Sequence, residues 1–360
     1  MIRFGGEVMD ILVLEGDGIG AEICAATLGC LERLNRDLRL GLAFPHALIG
    51  FAALREHGTT LPEAVVARAR TAAGVLLGPV SHADYPPREA GGINPSGELR
   101  RHLDLYANER PSKVRPAIPA VAARMDLVVM RENTEGFYAD RSMFAGNGEF
   151  MPTPDLALAV RKITRAGCRR IIEAAFDLAA ERRRHVTAVH KSNVLRVSDG
   201  LFMEEFERAA RARTDFTVDD HHIDAACAQL IRTPEAFDVI VTTNMYGDIL
   251  SNVASELAGS LGLAASLNYG DAHAVAQAAH GSAPDIEGKG IGNPTGLMLS
   301  AAMLLGWLGR RHGRGDLASA GRRLDEAVEA TLASGARTPD LGGTLSTEAF
   351  ARAVEARLAA

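Results

Sequence analysis

Lysine is nearly missing from this chain. Of the 39 basic residues among 360, only Lys113, Lys162, Lys191 and Lys289 are lysines, and the other 35 are arginines. Such a bias places Arg wherever any positive charge will do. A surviving Lys therefore marks a candidate site for a compact amine that takes and gives a proton, although chance at an exposed position accounts for two or three of the four. Cysteine is equally sparse. Cys24, Cys30, Cys168 and Cys227 form no C-x-x-C pair, which excludes a disulfide framework and a zinc knuckle. There is no long apolar run either. Residues 296–309 (GLMLSAAMLLGWLG) make the longest nearly uncharged apolar run, short of the ~17–25 residues that cross a bilayer. Basic surplus is absent, with a formal net charge of −6, which argues against a general nucleic-acid binder. The N-terminus, MIRFGGEVMDILVLEG, has no long apolar region and no small-residue cleavage site, so secretion is not expected and a cytoplasmic location is.

What is present is length and alternation. A chain of 360 residues exceeds the ~100–200 typical of one domain, so two domains are expected. Short apolar runs at 10–14, 74–77, 127–130, 186–189 and 239–242 read as strands. Helical periodicity is expected at 21–34, 156–166, 168–184, 202–213 and 248–261, and over most of the chain after Pro294. This alternation means an α/β fold. Residues 139–154 (ADRSMFAGNGEFMPTP) interrupt it with a Gly-Asn-Gly centre, compatible with a protruding hairpin or a plain surface loop.

The turn E-G-D-G-I-G (residues 15–20) joins a strand to a helix but has G-x-G-x-G spacing. A dinucleotide fingerprint needs G-x-G-x-x-G, so an ordinary Rossmann site is not expected. The loop either presents amides to an anion at the helix start or is a tight turn without a ligand. Four other segments combine charge with small residues. In LRRHLDLYANERPSKVR (99–115) Arg100 and Arg110 lie ten apart, and Arg131 opens RENTEGFY (131–138). Three converging guanidiniums suit a small polycarboxylate, because Arg grips carboxylates in bidentate fashion; solvated surface arginines are the plainer alternative. HKSNVLRVSDGLF (190–202) puts Lys191 at a strand end. FDVIVTTNMYGDILSN (237–252) puts Asp248 where a loop becomes a helix, with Asn252 four residues on along the same face. With Asp224 these could hold a hard divalent cation through oxygen, or Asp248 could simply cap its helix. HGSAPDIEGKGIGNPT (280–295) is a Gly-rich loop too patterned for a linker.

Taken in order, EGDGIGAE, LDLYANERP, RENTEGFY, HKSNVL, NMYGDILSN and HGSAPDIEGKGIGNP resemble the β-decarboxylating dehydrogenases of the isocitrate/3-isopropylmalate dehydrogenase family, over nearly the whole chain. The resemblance implies an α/β two-domain fold that is not a Rossmann fold. A large cofactor-binding domain would comprise residues 1–105 plus 259–360. A small dimerisation and substrate domain would span 106–258, with an intersubunit arm near 139–154 and the active-site cleft between domains. It implies a homodimer with shared sites, and a reaction that oxidises the 2-hydroxyl of a 3-substituted (2R)-malate and releases the C3 carboxylate as carbon dioxide. By the same resemblance Arg100, Arg110 and Arg131 clamp substrate carboxylates, Lys191 accepts the hydroxyl proton, and Tyr138 protonates C3. Asp224, expected from the partner subunit, and Asp248 would bind Mg²⁺ or Mn²⁺. NAD would lie on the loop carrying His280, Gly281, Ser282, Ala283, Asp285, Ile286 and Asn293. Asp285 would accept from the adenosine ribose and repel the 2′-phosphate of NADP.

Two positions depart from the family pattern: Asn252 stands where an Asp metal ligand is usual, and Gln277 where Glu is usual. Both remove a negative charge, and they keep a non-catalytic regulatory subunit or binding module in view as the alternative class. Substrate choice in the family depends on residues just before Arg100, here Ile93-Asn94-Pro95-Ser96-Gly97-Glu98. The leucines that pack on an isopropyl group are missing, and Asn94 and Ser96 are polar. An isocitrate-like substrate is therefore favoured, with 3-isopropylmalate, homoisocitrate, D-malate and tartrate as alternatives.

Overall fold

The computed structural model describes residues 8–115, 117–138 and 148–358. Its strands are β1 (Met9–Leu14), β2 (Leu42–Ala43), β3 (Gly74–Leu77), β4 (Ala107–Lys113), β5 (Asp126–Glu132), β6 (Glu149–Thr153), β7 (Leu156–Ala159), β8 (His185–His190), β9 (Thr217–His222), β10 (Val239–Thr242), β11 (Leu267–Tyr269) and β12 (Ala274–Ala276). Ten of them form one sheet in the order β2-β1-β3-β12-β11-β4-β5-β10-β8-β9. Pairing is parallel in both halves, as in β1–β3 and β10–β5, but antiparallel at the centre, where β12–β11, β11–β4 and β4–β5 meet. This order, with antiparallel strands set inside a parallel sheet, is not that of a Rossmann domain.

The helices are α1 (Gly20–Leu38), α2 (Gly50–His57), α3 (Glu63–Thr71), α4 (Pro95–His102), α5 (Arg165–Ala180), α6 (Ser198–Arg211), α7 (Ile223–Arg232), α8 (Asn244–Leu257), α9 (Thr295–His312), α10 (Gly315–Ala333) and α11 (Thr347–Leu358). They cover both faces, which is why the strands read as unbroken apolar runs. Along β1, Ile11 and Val13 pack under α1 and α9, whereas Leu12 and Leu14 pack towards α3 and α4. The same alternation divides β10: Val239 and Val241 meet α5 and α6, and Ile240 meets α7 and α8. Among the described residues no helix is long and apolar enough to cross a membrane.

Most strand and helix expectations hold, with one correction. The helix expected over 156–166 is absent until Arg165, where α5 begins: Leu156–Ala159 is β7, antiparallel to β6 in a separate two-stranded sheet. Leu156 and Leu158 alternate with alanines at period two, and Asp155 after Pro154 makes the turn. The helix starts only where the Thr164 side chain accepts a hydrogen bond from Gly167 N–H at 3.1 Å. The hairpin expected within 139–154 is therefore built by 149–159, and residues 139–147 lie outside the described residues. Strand β4 escaped the pattern because Asn108, Arg110 and Ser112, all polar, occupy its buried face.

Candidate active site

A cavity of about 290 Å³ is lined by residues from all four central strands or their ends: Arg110, Arg131, Ser266 and Gln277. Asn94, Ser96, Gly97 and Arg100 of the α4 region, Tyr138, Asp248, His82 and His280–Gly281 complete most of the wall. The structure thus brings together the three arginines, Tyr138, Asp248, Asn94 and Ser96. It also adds His82, Ser266 and Gln277, and of these only Gln277 carried a signal in the sequence.

Asp248 is the electrostatic centre. Its Oδ1 accepts from Arg110 Nη1 at 3.0 Å and from Arg131 Nη1. Burial works against its charged form, but Arg131, Arg110 and Arg100 outweigh burial and hold the carboxyl below its usual range. Burial and the neighbouring Arg131 push the Arg110 guanidinium down, to about 9, against the pull of Asp248. It remains cationic at neutral pH. Arg131 is fixed further by Asn244 Oδ1, which accepts from its Nε at 2.9 Å and its Nη2 at 2.7 Å, and it lies over the Tyr138 ring at 5.9 Å. Arg110 is set by Asn108 Oδ1 and by Ser251 Oγ at 2.8 Å. Three cations face one carboxylate in this wall, so the cavity favours an anion with more than one negative charge.

The side next to α4 is polar. Asn94 caps α4, its Oδ1 accepting from Gly97 N–H at 3.1 Å. Ser96 Oγ donates to Gln277 Oε1 at 2.8 Å, while Gln277 Nε2 donates to Gly78 O at 3.3 Å. A carboxylate at position 277 would set an oxygen against the Gly78 carbonyl, so the amide suits this place.

Lys191 and Asp224 do not line the cavity. They pair with each other, Nζ to Oδ1 at 2.6 Å, and Asp224 is largely exposed. That hydrogen bond is the main reason the Asp224 carboxyl falls below its usual range. Asn252 is exposed one helical turn past Asp248. These oxygen donors fit a hard divalent cation in kind. Within one chain they do not converge: among the described residues no group of three or more His, Cys, Asp or Glu side chains is placed to hold a metal.

The loop 280–293 sits against the E-G-D-G-I-G turn. Ser282 O accepts from Ile19 N–H at 2.9 Å, and a Cβ on Gly18 would lie 2.0 Å from that oxygen. The N–H groups of Asp17, Ile19 and Gly20 bond Pro79 O, Ser282 O and Asp17 O, so three of the turn's amides are already used. Glu22 holds the loop's far end, accepting from Gly290 N–H at 3.0 Å and Gly292 N–H at 2.6 Å. Ala283 takes a left-handed φ of 42° and leads into the turn Pro284–Ile286, where Asp285 is exposed and Ile286 packs on the core. Asn293 is buried, donating to Asp340 Oδ2 at 2.9 Å and accepting from Thr295 N–H at 3.0 Å; its amide braces the loop. Burial lowers the His280 pKa and so keeps the ring neutral at pH 7. Among the described residues its buried Nε2 has no hydrogen-bond partner, an orphan of the kind that a bound ligand satisfies.

A doubly wound sheet with antiparallel centre strands, a carboxylate clamp at that centre and a Gly-rich loop beside it define an α/β enzyme acting on small polyanions. The family model described as isocitrate/isopropylmalate dehydrogenase matches residues 10–354. An isocitrate/homoisocitrate dehydrogenase of Thermus thermophilus is 42% identical over 346 residues, covering 96% of this chain and 97% of that protein. A 3-isopropylmalate dehydrogenase of Methanothermobacter thermautotrophicus is 40% identical over 353 residues, covering 97% and 98%. The crystal structure of isocitrate dehydrogenase from Methylococcus capsulatus superposes with a TM-score of 0.86 at 36% identity, over 97% of this chain and 99% of that one. The chain belongs to the isocitrate/isopropylmalate dehydrogenase family. It is a dehydrogenase that decarboxylates 3-substituted malates.

Proposed function

We propose that this enzyme uses NAD and Mg²⁺ or Mn²⁺ to oxidise and decarboxylate a (2R)-malate whose C3 substituent is polar or charged, with isocitrate its preferred substrate. The observation that carries this reading is the cavity wall: three arginines around Asp248, continued towards α4 by Asn94, Ser96 and Gln277. An isopropyl group would lose the apolar burial worth ~25 cal/mol per Å² there. Arg100, Arg110 and Arg131 bind and orient the carboxylates. Lys191 takes the 2-hydroxyl proton, and Tyr138 returns a proton to C3 after carbon dioxide leaves. A divalent ion held by Asp248 and a second copy's Asp224 would supply positive charge at the substrate's 2-oxygen, and NAD held on the 280–293 loop would supply the hydride acceptor.

The separation of Lys191 and Asp224 from the cavity supports a homodimer in which each chain lends this pair to its neighbour's site. Asp224 of a second copy would then join Asp248, with Asn252 as an uncharged third donor. The exposed apolar side chains Phe150, Met151, Leu156 and Leu158 on the β6–β7 hairpin support an intersubunit arm there. The packing supports the two-domain division at residues 105 and 258: two apolar clusters draw almost wholly on 11–105 and 263–358, and two others on 107–258. A cytoplasmic location fits this soluble metabolic chemistry.

NADH formation with Mg²⁺ or Mn²⁺ across isocitrate, homoisocitrate, 3-isopropylmalate, D-malate and tartrate tests the proposal. Isocitrate is expected to give the highest kcat/KM. Preference for 3-isopropylmalate would overturn the reading of the α4 side, and silence on every substrate with NAD still bound would point to a specialised malate analogue or a non-catalytic subunit. For the cofactor, Asp285→Ala is expected to raise the KM for NAD roughly 10-fold, as loss of a hydrogen bond to a charged group does, with kcat nearly unchanged. An unaltered KM for NAD would remove Asp285 from the cofactor site.

A further inference from the structure

Outside the cavity, one buried ion pair touches the segments that carry Lys191, Tyr138 and Asp248. Asp199 is fully buried in the first turn of α6, and Arg161, on the chain between β7 and α5, is nearly so. Asp199 Oδ1 accepts from Arg161 Nη1, and Oδ2 accepts from the backbone N–H of Lys191 at 2.6 Å. The Arg161 fork continues outward: Nη1 donates to Ser198 Oγ at 3.0 Å, and Nη2 to Thr243 Oγ1 at 3.0 Å. Thr243 is the N-cap residue of α8, the helix that carries Asp248. The guanidinium also lies over the ring of Tyr246 at 5.3 Å, in the first turn of the same helix, and over Phe137 at 5.9 Å, next to Tyr138.

Burying two charges away from water costs several kcal/mol per ion unless their partners are fully satisfied. A fold needing only stability could place apolar side chains here. What these charges add is direction, because a forked guanidinium and a two-oxygen carboxylate fix their partners along set lines. Here the lines run to the Lys191 backbone, the start of α8 and the segment before Tyr138.

We infer that Arg161 and Asp199 form a positioning unit for the reaction, which sets the Lys191 main chain in register with Tyr138 and Asp248. The inference rests on the proposed proton-accepting role of Lys191. It extends that role to residues that touch neither substrate nor cofactor. Because Lys191 does not line its own chain's cavity, the unit, on the shared-site reading, also ties the position of the lent lysine to the state of the chain's own site.

The test is steady-state kinetics of the intact enzyme with Asp199→Asn and Arg161→Lys, alongside Lys191→Met. Asp199→Asn keeps an oxygen for the Lys191 N–H and removes the charge that Arg161 needs. Arg161→Lys keeps the charge and removes the fork that reaches Thr243. A displacement of about 1 Å at a reacting group costs on the order of 100-fold in rate. Each variant is therefore expected to lose 10- to 100-fold in kcat. The KM for the malate substrate and for NAD should stay within about threefold, because the arginine clamp and the cofactor loop are untouched. Unfolding midpoints from circular dichroism accompany each measurement. If kcat stays within twofold of the parent in both variants, the inference fails. It also fails if kcat and both KM values worsen together in step with a lowered midpoint, since that marks general loosening. Should Asp199→Asn not fold, Arg161→Lys decides alone. Turnover that survives Lys191→Met would instead overturn the underlying assignment, so the two failures are told apart.

Discussion

Lys191→Met is expected to lower kcat by roughly 10³-fold, within the range that loss of a general base produces. Met keeps the length and the apolar stem and removes only the amine. The folded state should survive, because the ion pair that Lys191 makes with Asp224 is at the surface, with the Asp224 side chain 69% exposed. Pairs of that kind contribute about 0–1 kcal/mol. The KM for the malate substrate should change little, since the carboxylates are held by Arg100, Arg110 and Arg131 within the cavity. The measurement is NADH formation at saturating substrate, with NAD binding checked separately by fluorescence. Turnover equal to that of the parent would show that another group takes the hydroxyl proton.

The second large effect is a restoration. Tyr138 lines the cavity of its own chain, whereas Lys191 does not. If two copies share their sites, Tyr138→Phe and Lys191→Met chains should each be nearly inactive alone and recover when mixed. In a mixed dimer one site has lost both groups, and the other has Tyr138 from one chain and Lys191 from its partner. With random exchange, half of the dimers are mixed and each holds one intact site, so about a quarter of parental activity should return. Denaturing and refolding the two variants together, then assaying against each refolded separately, measures this. No recovery beyond the sum of the separate samples would mean that Lys191 reaches the cavity of its own chain.

How legible the site was in the sequence varies from group to group. Arg100, Arg110 and Arg131 stand in charged motifs, and the structure does bring them to one cavity with Asp248 and Tyr138. Asn94 and Ser96 also reach it, although Asn94 spends its side-chain oxygen on capping α4. Asn293 was legible as part of a patterned loop, but its amide is turned inward to Asp340 and Thr295, which no spacing could foretell. His82 lies on the irregular stretch after β3 and carried no pattern at all. The misread segment 156–166 shows the same limit at the level of local structure. Alternating Leu and Ala suit either a helix or a strand, and pairing with β6 decided between them.

By itself the sequence determined the alternating α/β order and the membership of the family, because strand burial on two faces and the long charged motifs are written in contiguous residues. It also set the chemistry on offer: a clamp of arginines, an isolated lysine, two separated aspartates and a Gly-rich loop. Only the tertiary structure decided which of these groups meet. Arg110 and Asp248 are 138 residues apart, and β4 pairs with β11, which lies far from it in the chain. Their contact depends on the strand order at the sheet's centre, which local periodicity does not encode. Likewise only the fold left Lys191 and Asp224 out of the cavity wall and paired them with each other, since the direction of a side chain at a strand end depends on how the next helix docks.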